Sequence, residues 1–175
     1  MPRYIAFLRG INLGKRRLPM SRLVALFAEL EFTEVATFIA SGNVIFSSGE
    51  KNAGRLEEKI GRRLEDSLGY AVDTFVRTTE EVAALGRAEI FDEQATVHVG
   101  FLHAALPPAA ARKLEAVQTE ADAFRVRDRE YFWLCRIRTS DSKVWTLPEM
   151  KALRLPTSSM RNMTTIRKLV AKHLT

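Results

Sequence analysis

The sequence predicts an α+β protein of two ferredoxin-like (βαββαβ-type) subdomains in tandem, residues 1–90 and 91–175, the second ending in a helical tail. Three observations predict it. Short apolar runs alternate with segments whose apolar residues recur at helical spacing, in the order β-α-β-β-α-β up to residue 77. The β-α-β-β part of that order returns after residue 95, by pattern and without a residue-level repeat. The composition, 46% apolar and 27% charged over 175 residues, is that of a globular chain able to bury a core.

Residues 4–8 are a continuous apolar run between Arg3 and Arg9, the length of a buried strand. Pro19 suits the start of a helix carrying Leu23, Leu26, Phe27 and Leu30 at helical spacing. Residues 34–40 and 44–46 are rich in β-branched and aromatic types, and Gly42-Asn43 between them is a hairpin signal. Leu56, Ile60, Leu64 and Leu68 step by four along a second helix that Gly69 stops. Residues 72–77 return as a strand. Thr78 and Glu81 then form a capping box for a short helix, and residues 88–93 connect the halves.

In the second half, residues 96–102 alternate as a strand and Pro107-Pro108 opens an alanine-rich helix. Residues 124–127 and 131–137 pair across Asp128-Arg129. On the latter strand Tyr131, Trp133, Cys135 and Ile137 share an apolar face, while Phe132, Leu134 and Arg136 share the other. A short helix over residues 147–153, a loop over 155–159, and a final helix capped by Asn162 and buried through Ile166, Leu169 and Val170 complete the chain.

The net charge of +6 is concentrated in the last third. From Arg125 onward twelve Lys or Arg face four Asp or Glu, whereas residues 1–124 hold fifteen against seventeen. Such a basic end favours an anionic partner, either nucleic acid or a phosphorylated small molecule. No apolar run has the length of a membrane span and residues 1–4 lack a secretory signal, so the expectation is a cytoplasmic protein without a membrane partner. Cys135 is the only cysteine and sits among Tyr131, Phe132, Trp133 and Leu134, as a buried structural thiol would. His98, His103 and His173 follow no ligand spacing, and no cofactor or metal is expected.

The stretch Arg9-Gly10-Ile11-Asn12-Leu13-Gly14-Lys15 joins the first strand to the first helix. Its glycines and cations fit either an anion-binding nest or a basic solvated turn. It is not a triphosphate-binding P-loop, which needs four residues between its glycines and Ser or Thr after the lysine; here there are three, then Arg16.

These residues, with Phe38-Ile39-Ala40-Ser41-Gly42-Asn43-Val44-Ile45-Phe46, closely resemble domain-of-unknown-function family 1697. Arg9, Gly10, Asn12, Ser41, Gly42 and Asn43 match its N-terminal signatures, and Ser142, Lys143, Arg161 and Asn162 match polar positions near its close. Val144 stands near a family leucine, Met163 replaces a tryptophan, and Arg138-Thr139-Ser140-Asp141 alters a glycine-rich approach. The resemblance implies the two-subdomain architecture and no activity.

Three functions fit. The first is an anion-binding module in which Arg9, Gly10, Asn12, Lys15, Ser41 and Asn43, with Ser142, Lys143, Arg161, Asn162 and Lys168, form the ligand-binding set and nucleic acid is the first ligand class to test. The second is an enzyme for a phosphorylated small molecule, which needs Gly10, Ser41 and Arg161 in one pocket. The third is a structural or interaction domain whose motifs serve turns, since Ser, Gly and Asn are all turn residues.

Overall fold

The computed structural model describes residues 1–11, 17–38 and 42–175. By packing, the chain divides into one unit of residues 1–85 and 169–175 and a second of residues 86–168. The sequence pattern put residues 91–175 together; the last seven group with the first unit because His173 and Lys172 pack on Phe38 and the His173 carbonyl accepts from Arg3.

In the first unit the order is β1 (Arg3–Arg9), α1 (Met20–Ala28), β2 (Thr33–Phe38), β3 (Asn43–Ser47), α2 (Ala53–Leu68), β4 (Asp73–Thr78) and α3 (Thr79–Arg87). The sheet order is β2-β3-β1-β4 with every neighbouring pair antiparallel. Tyr4, Ala6, Leu8, Val44, Phe46 and Val76 alternate onto one face, where Leu23 and Phe27 of α1 and Leu56, Ile60 and Leu64 of α2 cover them. Phe27, Phe32 and Phe46 form the aromatic centre, with Phe32 and Phe46 stacked at 4.6 Å. Each such ring contributes on the order of 2–3 kcal/mol by leaving water. Ile5, Phe7, Ile45 and Phe75, on the opposite face, are fully buried too, which is why β1 reads as a continuous apolar run.

Local signals close these elements. The Asn52 side chain accepts from Arg55 N at 3.1 Å to begin α2, and Gly69, left-handed at φ 81°, ends it. The capping box forms as expected: Thr78 N donates to the Glu81 carboxylate at 3.0 Å and Glu81 N to the Thr78 hydroxyl at 3.1 Å.

The second unit repeats the plan with β5 (Thr96–Phe101), α4 (Pro108–Ala116), β6 (Asp122–Arg127), β7 (Glu130–Cys135), α5 (Pro148–Leu153), β8 (Ser159–Asn162) and the start of α6 (Met163–His173). Short 3₁₀ turns at Thr139–Asp141 and Val144–Thr146 precede α5. The sheet order is β6-β7-β5-β8, again antiparallel throughout. Tyr131, Trp133 and Cys135 enter a core with Phe124, Leu114, Val144 and Met150, as the alternation predicts. Ile137 lies beyond β7 and is exposed, and Phe132 and Leu134 on the other face are buried.

Strand β8 was not expected: the loop holds over residues 155–158 and Asn162 does cap the last helix, but Ser159–Asn162 are extended. Ser159-Met160-Arg161-Asn162 has no β-branched residue, and its extended form comes from pairing with β5, Val99 opposite Arg161. One outer strand of each sheet, β4 and β6, carries the same device: Val76 N donates to the Glu57 carboxylate at 2.8 Å, and Val126 N to that of Glu115 at 3.1 Å. A helix carboxylate thus occupies a donor that an edge would otherwise offer to another chain.

Candidate anion site

The two N-terminal motifs meet at the end of β1. Phe7 pairs with Asn43 across the β1–β3 ladder, and Leu8 N donates to Gly42 O at 2.9 Å. Gly10 has φ 81° and Gly42 φ 85°, in the region that favours glycine. A Cβ on Gly42 would stand 3.1 Å from Leu8 Cβ and 3.6 Å from Ile11 Cγ1, so the hairpin tip packs against the strand end. The Tyr70 hydroxyl donates to Ile11 O at 3.2 Å and holds the turn from α2's far end. Arg9 is exposed and stands opposite Asp73 in the β1–β4 register. Asn12, Lys15 and Ser41 lie outside the described residues.

Gly42→Ala is expected to lower stability by about 1–2 kcal/mol, the cost of a left-handed non-glycine residue, with the Leu8 contact adding to it. Urea titration of the two proteins checks this, and an unchanged midpoint would refute it.

Asn43 is fully buried, and its side-chain amide donates to Phe38 O at 2.9 Å, across the hairpin it closes. In the second unit the polar residues divide similarly. The Ser142 hydroxyl donates to Asp122 Oδ1 at 2.7 Å, while Lys143 beside it is exposed. Arg161 Nη1 donates to the Ser159 hydroxyl at 2.8 Å and to Met160 O at 3.0 Å, and burial pushes its pKa down to about 10, leaving it charged at neutral pH. Asn162 Oδ1 accepts from Thr164 N at 2.8 Å and caps α6, whose Lys168 is exposed.

Sequence reasoning missed Asp122. This carboxylate is 2% exposed yet accepts from Trp133 Nε1 at 2.8 Å, the Thr119 hydroxyl at 2.6 Å and the Ser142 hydroxyl. Burial alone would raise its pKa; the hydrogen bonds from Thr119, Trp133 and Ser142 outweigh that and hold it below the usual carboxylate range. The nearby Cys135 thiol donates to Ile137 O, and burial pushes its pKa up, as suits an inert thiol. The local clue was Thr119, whose hydroxyl also accepts from the amides of Ala121 and Asp122. His98 stacks on Trp133 at 5.1 Å, and burial pushes its pKa down, which favours the uncharged ring.

The second unit also holds an open cleft of about 530 Å³ walled by residues 86–95 and by Val97, Met163 and Arg167. Arg167 Nη2 donates to Ala88 O at 3.3 Å. Met163, the residue expected from the family resemblance to replace a tryptophan, is 2% exposed. Among the described residues no cluster of His, Cys, Asp and Glu suits a metal ion, and no helix is long and apolar enough to cross a membrane.

No curated protein matches the chain. Among solved structures, the conserved bacterial protein SP0830 from Streptococcus pneumoniae is similar in fold, with a TM-score of 0.76 and 21% identity over 98% of this chain and 99% of that one. The model of a family described as protein of unknown function (DUF1697) matches residues 1–132, which include the joined Arg9-Gly10 and Gly42-Asn43 motifs, and the chain belongs to that family.

Proposed function

We propose that the protein is an anion-binding module that meets phosphate groups at the end of β1, with nucleic acid as the first ligand class to test. The observation that carries this is the Leu8 N–Gly42 O bond, which brings the positive-φ Gly42 to the strand end that leads into the positive-φ Gly10, beside the exposed residue Arg9. Backbone that turns through such conformations offers amides to an anion, and Arg adds a planar, permanently charged donor set. Asn12, Lys15 and Ser41 of the same motifs join the proposed site. Exposed Lys143 and Lys168 extend the basic character into the second unit. The shared order β2-β3-β1-β4 and β6-β7-β5-β8 supports reading both halves as ferredoxin-like. A cytoplasmic location belongs to the same proposal.

The hydrogen bonds that Asn43, Ser142 and Asn162 make within the fold favour a second reading for those residues, as parts of a structural or interaction domain. The enzyme reading gains no such support, because Gly10 and Arg161 belong to different units and Ser41 lies outside the described residues.

The test is fluorescence anisotropy of labelled single-stranded RNA and DNA across a salt series. Binding should weaken steeply with salt, and Arg9→Ala should reduce the logarithmic salt slope by about one. Absence of binding at low salt, or an unaltered slope, would leave the structural reading in its place.

A further inference from the structure

The sheets have four outer strands, β2 and β4 in the first unit and β6 and β8 in the second. Side chains occupy the backbone of three of them. On β4 the Glu57 carboxylate takes Val76 N at 2.8 Å, and Arg77 Nη1 donates to Val76 O at 3.1 Å. On β6 Glu115 takes Val126 N, and Arg125 Nη1 donates to Phe124 O at 2.9 Å. On β8 Arg161 Nη1 donates to Met160 O at 3.0 Å. Strand β2 is different. Among the described residues the one side chain bonded to its backbone is Asn43, which reaches Phe38 O from the neighbouring β3.

The ladder shows which groups of β2 point outward. Leu8 N donates to Gly42 O, so by alternation Val44 and Phe46 also turn toward β1. Asn43 and Ile45 then turn toward β2, where they pair with Phe38 and Ala36. Thr37, and Val35 on the other side of Ala36, are left with their N–H and C=O groups on the free side. An irregularity between Thr33 and Ala36, with Glu34 at φ 51°, confines this free edge to the C-terminal part of the strand. An uncovered edge is a template for another strand.

We infer that β2 pairs antiparallel with β2 of a second copy of this chain, about a two-fold axis at Ala36. This register sets Val35 opposite the partner's Thr37, so the outward groups of both strands meet, and it places the smallest side chain of the strand on the axis. It also sets Glu34 opposite the partner's Phe38. Ala36 and Phe38 share a face with Ile45 and Asn43, and Glu34 joins that face because its carboxylate accepts from the Ser47 hydroxyl at 3.1 Å. The exposed Lys172 stands over the Phe38 ring at 5.8 Å and has no ion pair among the described residues. Each Glu34 therefore meets the partner's Lys172, and the symmetry makes the pair twice. That charge complementarity selects a second copy over a strand from another protein. The paired segment is short, so the dimer is weak and forms as concentration rises.

The experiment is sedimentation velocity of the full chain over a concentration series reaching the sub-millimolar range, where a monomer–dimer equilibrium is expected. Lys172→Glu should weaken it about tenfold, because two opposite-charge pairs become like-charge pairs. Combining Lys172→Glu with Glu34→Lys should restore it. Thr37→Pro removes an outward N–H, leaves the pairing with β3 in place and should abolish the dimer. Thermal melts establish that each variant folds; if Thr37→Pro does not, the charge reversal and the following cross-link decide. Ala36→Cys should form an interchain disulfide under mild oxidation, since a non-hydrogen-bonded pair on the axis has its Cα atoms about 4.5 Å apart, and Thr33→Cys should not. The buried Cys135 does not compete. The association needs no anion, so Arg9→Ala should leave it unchanged. The inference is overturned if the chain stays monomeric throughout, if folded Thr37→Pro dimerises like wild type, if the double charge reversal recovers nothing, or if Ala36→Cys cross-links no faster than Thr33→Cys.

Discussion

Gly100→Ala should cost about 3–5 kcal/mol of stability, the combined loss of a buried tyrosine's packing and its hydrogen bond. A Cβ built on Gly100 would fall 2.3 Å from Tyr131 Cζ and 2.4 Å from Cε1, inside the ring's own volume. Tyr131 is the cross-strand partner of Gly100, lying over the glycine at 2% exposure with its hydroxyl 2.7 Å from Ser158 Oγ. Trp145 packs at 6.1 Å on the same ring and the hydroxyl is tied to Ser158, which restrains the ring from swinging aside. The check is a double-mutant cycle by chemical denaturation. With Tyr131→Ala in place, Gly100→Ala should cost less than about 1 kcal/mol, because the obstructing ring is gone. A single Gly100→Ala variant as stable as wild type would disprove the close-packing account.

Asp122→Ala should cost about 3 kcal/mol or more by leaving the Trp133 indole N–H and the Thr119 and Ser142 hydroxyls without their acceptor in a closed site. The Ser142 bond ties the segment after β7 to the start of β6, so the loss should spread into the turn before α5. Acid provides an independent reading of the same carboxylate. Its pKa is depressed in the folded state, so its contribution is full above the unfolded Asp value near pH 4 and is lost as pH falls from there through the lower folded value. Asp122→Asn keeps an acceptor oxygen and removes that titration. Its urea midpoint should therefore fall less steeply between about pH 4 and pH 2 than that of wild type. Parallel acid limbs for the two proteins would mean that Asp122 is not held as the anion.

The candidate site was legible as far as its residues act on their neighbours. Gly42-Asn43 announced a hairpin, and the hairpin's place in the sheet set its tip against Leu8 and Ile11. Which polar residues would be spent inside the fold was not legible. Asn43 and Asn162 look alike in sequence, yet one is buried across a hairpin and the other caps an exposed helix start. Arg3 and His173 are 170 positions apart, and nothing in either neighbourhood marks them as hydrogen-bond partners.

By itself the sequence determined what short-range chemistry can determine: the apolar periods of α1, α2 and α6, the Thr78–Glu81 capping box, the Gly69 stop and the proline start of α4. Each depends on residues within one or two turns of one another, so the pattern and its consequence lie in the same stretch of chain. Tertiary structure alone decided β8, because Ser159–Asn162 becomes a strand only when β5 offers its edge. It alone decided the burial of Asp122, whose donors come from Trp133, eleven residues on, and Ser142, twenty residues on. It also returned residues 169–175 to the first unit. These outcomes depend on register and packing between distant segments, and a buried carboxylate or a polar strand carries no mark of them until its partners are in place.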